Sequence, residues 1–268
     1  MPHTPTGDVW AAALGAYYTA MTAANRSPGT IKLHRHYLAG LRDVHRDPWS
    51  VGLGDLTAMM SNPSWQGAAR KSARTVYRGF YRWAFGMGYV DVDPSLMLPA
   101  VTVQPGVPRP TPEMIAKRTM RDPDERIAFM AMLAGYAGLR AAEIAVVHSD
   151  DFNDGLLRIH GKGRKVRSVP IVQAELLAQL ERVDGYAFPG RIDGHLSPGY
   201  VTRLLSEAMP EHWTAHTLRH RAATKAYAGT LDLLAVGQML GHARAEMTQR
   251  YVLVANDALR AALAAAAA

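Results

Sequence analysis

His216-Thr217-Leu218-Arg219-His220, followed by Leu240-Gly241-His242 and, nine positions after His242, by Tyr251, decides how this chain of 268 residues is read. Together these residues form a candidate phosphate pocket with its own oxygen nucleophile. Cleaving a phosphodiester internally needs cations on the non-bridging oxygens, a hydroxyl able to lose its proton, and an acid for the leaving oxygen. Arginine suits the first task because its planar fork pairs with phosphate and never titrates away. Arg219 and the upstream Arg140 are the candidates. Tyr251 suits the second, although a free phenol titrates only near about 10, so nearby cations must help it ionise. Lys162, flanked by Gly161 and Gly163 at a turn, could reach the leaving oxygen. His216 and His242 could transfer protons or bind the phosphate.

Taken singly, each residue has a plainer reading. Arg140 could cap a helix or pair with Glu143, Lys162 could be an exposed turn lysine, and Tyr251 could be one core aromatic among 11 tyrosines. His216 and His220 stand four apart and could hold a metal. The intervening Thr217-Leu218-Arg219 lacks the glutamate of the helical zinc motif, however, and an arginine repels a cation, so no metal is expected.

Composition narrows the class. Hydrophobic residues make up 48%, enough for buried cores, and the formal net charge of +7 favours a polyanionic partner, most simply nucleic acid. The absence of cysteine excludes disulfides, thiolate catalysis and cysteine zinc sites, and fits a reducing cytoplasm. The opening Met1-Pro2-His3-Thr4 has no basic region ahead of an apolar core, so no signal peptide is expected. No apolar run approaches the roughly 18 residues that span a bilayer, so no membrane partner is expected either.

A proline cluster (Pro94, Pro99, Pro105, Pro108, Pro110 and Pro112) marks the clearest boundary, because proline disfavours helix at itself and at the residue before it. The expected organisation is a helical domain over 1–95, a proline-rich linker over 96–112, and a second domain over 113–268. In the first, Trp10, Leu14, Tyr17, Tyr18 and Met21 recur at helical spacing. A turn and cap at Asn25–Thr30 precede a second helix through Ile31, Tyr37, Leu38 and Leu41. Further helices are predicted near 53–60 and 67–85. On the last, Lys71, Arg74, Arg78 and Arg82 follow three- and four-residue steps, and residues 64–89 hold five basic residues and no acidic one. A one-sign stripe suits phosphate contacts, and a solvated helix face is the plainer alternative. The second domain reads as helices over 126–138, 141–147, 174–181, 198–209, 216–228, 231–240, 245–251 and from 257 onward. Strands are predicted over 156–160 and 165–171. The fold class is therefore mainly α with a small β-hairpin.

Four motifs in order carry a resemblance. Gly138-Leu139-Arg140-Ala141-Ala142-Glu143-Ile144 is similar to the first arginine box of the tyrosine recombinases, the phage integrase family. Ile159–Pro170, with Lys162, resembles that family's hairpin lysine segment. His216–His220 matches its His-x-x-Arg box, and Leu240-Gly241-His242 with Tyr251 its closing box. The resemblance covers about residues 105–260, and residues 8–95 more loosely resemble the helical core-binding domain that precedes it. It implies a site-specific DNA recombinase, most simply a phage integrase, in which Tyr251 forms a 3′-phosphotyrosyl link and releases a 5′-hydroxyl. Arg140 and Arg219 would clamp the phosphate with His242 assisting, Lys162 would be the acid, His216 would transfer a proton, and Glu143 would support the pocket. Neither ATP nor a metal is implied. The implied partners are double-stranded DNA with core-type sites and three further protomers in a tetramer, with a directionality factor as an accessory. The implied location is the bacterial cytoplasm, at the nucleoid.

The core-binding resemblance begins near the start, so recognition of short core sites without an arm-binding domain is expected. The tail from Ala258 to Ala268 suits docking into a neighbouring protomer, or reading by a host ATP-dependent protease through its Leu-Ala-Ala pattern, or is a frayed end. A chromosome-dimer or transposon resolvase with the same chemistry, and a non-catalytic DNA-binding regulator on the same fold, are the rival readings.

Overall fold

A computed structural model describes residues 8–103, 106–161, 165–191, 193–242, 246–249 and 251. Contacts divide the chain into two compact units, Met1–Pro105 and Gly106–Ala268.

The first unit is built from four helices, α1 (Val9–Ala23), α2 (Pro28–Val44), α3 (Leu53–Met60) and α4 (Gly67–Gly86). Local chemistry sets their starts. Asp8 accepts a hydrogen bond from the Ala11 N–H, and Ser27 caps α2 just ahead of Pro28, whose missing N–H costs nothing in a first turn. Trp10, Ala13, Tyr17 and Met21 form one buried stripe of α1, facing Val76, Tyr77, Phe80 and Tyr81 of α4 across a shared core. Phe80 stacks on the rings of both Trp10 and Trp49, with centroids 5.9 and 6.0 Å away. Leu98 is buried in this same core, so the chain beyond α4 stays packed on the first unit.

Near the start of the second unit, the N–H and hydroxyl of Thr111 both bond to Thr217. Helices α5 (Glu113–Thr119), α6 (Glu125–Gly135) and α7 (Ala141–Ile144) follow. Then come strands β1 (Phe152–Asn153), β2 (Leu156–His160) and β3 (Val166–Pro170), and helices α8 (Ala174–Glu181), α9 (Pro198–Ala208), α10 (Ala215–Thr230), α11 (Leu233–Leu240) and α12 (Glu246–Gln249). The strands form an antiparallel sheet in the order β1-β2-β3, with Leu157 opposite Val169 and Ile159 opposite Arg167. From Ala128 to Gly135, α6 is buried on every side, and α9 and α10 pack against it. A smaller cluster of Ala223, Tyr227, Val236, Leu240 and Tyr251 joins α10 to α11 and the segment after α12.

The mainly helical class with a small sheet is what the sequence predicts, and the elements differ in detail. Helix α6 stops at Gly135 rather than 138, because the chain must turn through Gly138 (φ +69°) to deliver Arg140. Helix α5 and the two-residue β1 are additions to the predicted elements. The expected helix from 257 onward lies outside the described residues. Among the described residues, no helix is long and apolar enough to cross a membrane.

Candidate active site

Three elements of the second unit converge on one carboxylate. Glu143, in the first turn of α7, accepts the backbone N–H of Arg140 at 2.9 Å and so caps its own helix. Its other oxygen accepts from Arg140 Nη1 at 2.9 Å. Arg167 reaches in from β3 and grips both oxygens at 2.9 Å. Arg219, from α10, approaches to 3.6 Å. Three guanidiniums around one carboxylate leave a net charge of about +2, arranged to receive an anion.

Arg219 is almost wholly buried and donates to the carbonyls of Gly138 and Leu240, the latter at 2.6 Å. Burial, with Arg140 beside it, pushes its guanidinium down to about 9, while Glu143 pulls it back up, so it stays a cation at neutral pH. Burial would raise the Glu143 carboxyl. The bonds from Arg167 and from the Arg140 N–H, with the charges of Arg167 and Arg219, outweigh this and hold it below the ordinary range. Arg140 keeps 37% of its side chain exposed, which leaves donor capacity facing solvent.

The turn after α11 closes the site. Gly241 adopts φ +63°, and a Cβ there would lie 2.9 Å from Arg167 Nη1, so both the backbone conformation and the space call for glycine. His242 follows directly, its Nδ1 hydrogen-bonded to the buried Thr248 hydroxyl at 2.9 Å. Tyr251 is 2% exposed, with its ring stacked on His242 at 6.3 Å. Its hydroxyl lies 3.0 Å from His220 Nδ1. It also acts electrostatically on Arg219.

The structure thus brings together Arg140, Glu143, Arg219, His242 and Tyr251. His216 is exposed and stands beside His220, with the two imidazoles at 4.2 Å, while His220 in turn meets the Tyr251 ring. Lys162 lies outside the described residues. Among the described residues, no group of three or more His, Cys, Asp or Glu side chains is placed to hold a metal ion.

Three contributors are hard to find from sequence. Arg167 lies within the hairpin motif, where the sequence assigns it no role. Alternation along β3 carries the signal, since side chains two apart share a face and Val169 points inward. His220 suggests itself from sequence only as a metal ligand. Thr248, three residues before Tyr251 and buried against Gly237 and His242, has no sequence signal of its own.

In the first unit the basic stripe divides. Arg74 gives two hydrogen bonds to the Leu98 carbonyl, at 3.1 and 2.9 Å, and Arg70 similarly holds the carbonyls of Met60 and Asn62. The side chains of Lys71, Arg78 and Arg82 have no ion pair or hydrogen bond among the described residues. Arg82 and Arg26 line an open cleft of about 420 Å³ among α1, α2 and α4.

An arginine cluster, a buried tyrosine and two histidines thus meet on this helical frame. The chain belongs to the phage integrase family, whose model matches residues 113–257, and it is a tyrosine recombinase. It is similar to tyrosine recombinase XerC of Azotobacter vinelandii, at 32% identity over 76% of this chain and 77% of that protein. It is also similar to tyrosine recombinase XerD of Ralstonia nicotianae, at 30% identity over 86% and 83%. Among solved structures it shares the fold of a lambda integrase dimer bound to a COC′ core site (TM-score 0.72, 19% identity, 90% of this chain and 76% of that chain).

Proposed function

We propose that the protein cleaves and rejoins double-stranded DNA at specific sites through a 3′-phosphotyrosyl intermediate on Tyr251. The observation that carries this reading is the gathering of Arg140, Arg167 and Arg219 on Glu143, with the Tyr251 hydroxyl 3.0 Å from His220, the residue next to Arg219. In the proposed reaction Arg140 and Arg219 hold the non-bridging oxygens of the scissile phosphate. His242 donates to the same phosphate, and Thr248 fixes its ring. Attack by the Tyr251 oxygen breaks the bond to the 5′-oxygen, which takes a proton from Lys162. The covalent link conserves the energy of the broken bond, so rejoining needs no ATP. Glu143 keeps three like charges together and does not touch the DNA. Lys71, Arg78 and Arg82 contact phosphates of the bound duplex, and four copies of the chain assemble for exchange.

For the biological role, the motifs in the sequence put integration of a mobile element first and resolution of joined replicons second. The names XerC and XerD among the relatives favour resolution, while the name of the family favours integration. Two identical selected sites on one supercoiled plasmid should be separated into two circles if the role is resolution. Integration requires exchange between unlike partner sites. A host protease reading the alanine tail is a separate proposal. Aspartates in place of Ala267 and Ala268 should lengthen the protein's lifetime in cells, and an unchanged lifetime would remove the idea.

The chemistry is tested on a nicked suicide duplex carrying the sequence that the protein selects from a randomised pool. In EDTA, a denaturant-resistant protein–DNA adduct should form and should vanish in Tyr251→Phe with duplex binding retained. Binding without an adduct would favour a regulator, and cleavage only with added metal would overturn the mechanism.

A further inference from the structure

We propose that His220 is a further catalytic residue, the base that takes the phenolic proton of Tyr251. This rests on the reading of Tyr251 as the nucleophile and assigns its activation. His220 is 7% exposed, on α10 one residue beyond Arg219, and its Nδ1 lies 3.0 Å from the Tyr251 hydroxyl. Those atoms are within the distance at which a base removes a proton. His216, the residue to which the motif order gives proton transfer, has its ring against His220, which is the one hydrogen-bonded to the phenol.

The placement accounts for both histidines. In the neutral form that accepts from Tyr251, Nδ1 carries the lone pair and Nε2 carries the hydrogen. As the phenolic oxygen forms its bond to phosphorus, its proton moves to Nδ1, and the bond from phosphorus to the 5′-oxygen breaks. The 5′-oxygen leaves with that electron pair and is protonated by the acid of the reaction. His220 is then an imidazolium, beside the exposed ring of His216 at 4.2 Å, a route by which its proton reaches solvent. Rejoining runs the same transfer backwards, so one group serves as base and then as acid.

The charged and titratable groups around this pair come from several elements. His216 and Arg219 share α10, and His242 after α11 stacks on Tyr251. Glu143 on α7 meets Arg219 and also holds Arg140, at the N-cap of α7, and Arg167 on β3. The excess of positive charge in this cluster is placed to stabilise the negative charge that develops in the transition state.

The test measures adduct formation against pH on the selected nicked duplex for wild type, His220→Asn and His216→Asn. Asparagine keeps a polar atom near the place of Nδ1 but cannot take the proton. Thermal unfolding and duplex binding are recorded for each variant, so misfolding is seen directly. His220→Asn should form adduct about 10²-fold more slowly at pH 7, the lower end of what a positioned base contributes. The deficit should shrink as pH rises towards about 10, the range in which a free phenol loses its proton without a base. His216→Asn should lose less. A His220→Asn rate and pH profile equal to wild type would overturn the assignment, as would a loss of the same size at every pH, since that is the mark of packing or alignment. If wild type itself forms no adduct, the reading of Tyr251 fails first.

Discussion

Arginine does two different jobs in the two units. On α4, Arg78 and Arg82 have no hydrogen bond or ion pair among the described residues, and the stripe includes no acidic residue. In the second unit, Arg140, Arg167 and Arg219 crowd onto Glu143, and Arg219 is 2% exposed. A guanidinium in water attracts a polyanion over a distance and releases its counterions on binding, which gives affinity that salt erodes. A buried guanidinium held by carbonyls and a carboxylate costs desolvation, and the fold sets that cost against close control of its placement. The first arrangement tolerates movement. The second loses its use if a fork shifts by about 1 Å.

The comparison breaks most sharply at Glu143. Glu143→Ala leaves three cations together with no carboxylate between them. Removing one partner of a buried pair costs about 3–5 kcal/mol. For a unit of this size that is a fall of roughly 10 °C in the unfolding midpoint, readable by calorimetry. Adduct formation should fall with it, even at temperatures where the variant remains folded. An Arg78→Ala, Arg82→Ala double variant should leave the midpoint unchanged within about 0.5 kcal/mol. Equal destabilisation by the two changes would erase the distinction between the regions.

Acid sharpens the same contrast. Glu143 is held below its ordinary value of 4.5, chiefly by Arg167 against the effect of burial. Glu113 is brought down to about 2, where bonds from Lys225 and Arg221 overcome burial. A carboxylate with a depressed folded value contributes stability above its unfolded value, and that stability is lost as pH falls through the folded one. The second unit should therefore lose stability progressively from about pH 4.5 towards pH 2. In Glu143→Gln that acid-side slope should be shallower. A slope unchanged from wild type would mean that the arginines do not depend on this carboxylate.

Much of the architecture is legible in the sequence because it follows from local rules. Ser27-Pro28, Asp232 and Gly241 each mark a helix end by a known mechanism, and the ordered motifs place Arg140, Arg219, His242 and Tyr251 along the chain. Helix α5 is legible too, with Glu113 in its first turn and Lys117 and Arg118 in its last, but the prolines just before it favour a linker. Residues whose partners lie far off in sequence are harder to see. Arg167 meets Glu143 across 24 positions, and His220 meets Tyr251 across 31. Nothing in either residue's neighbourhood names its partner, and only the packing of α7, α10, α11 and the sheet supplies it.

The smallest effects separate residues within the basic stripe itself. Lys71, Arg74, Arg78 and Arg82 look equivalent in sequence, yet Arg74 commits its Nε and one Nη to the carbonyl of Leu98, a residue only 2% exposed. Arg74→Ala leaves that carbonyl without these two donors and should cost about 1–3 kcal/mol of stability in the first unit. Its effect on the salt dependence of duplex binding should be slight. Arg82→Ala should do the reverse, with the midpoint unmoved and the slope of log affinity against log salt reduced by about 0.9, the amount expected for one phosphate no longer neutralised. Titrating both variants with the selected duplex between roughly 50 and 200 mM salt, where phosphate-driven affinity falls steeply, reads the difference directly. If Arg74→Ala flattened the salt slope as much as Arg82→Ala, its bonds to Leu98 would have to yield to phosphate when DNA binds. The stripe would then act as one surface in spite of its divided geometry.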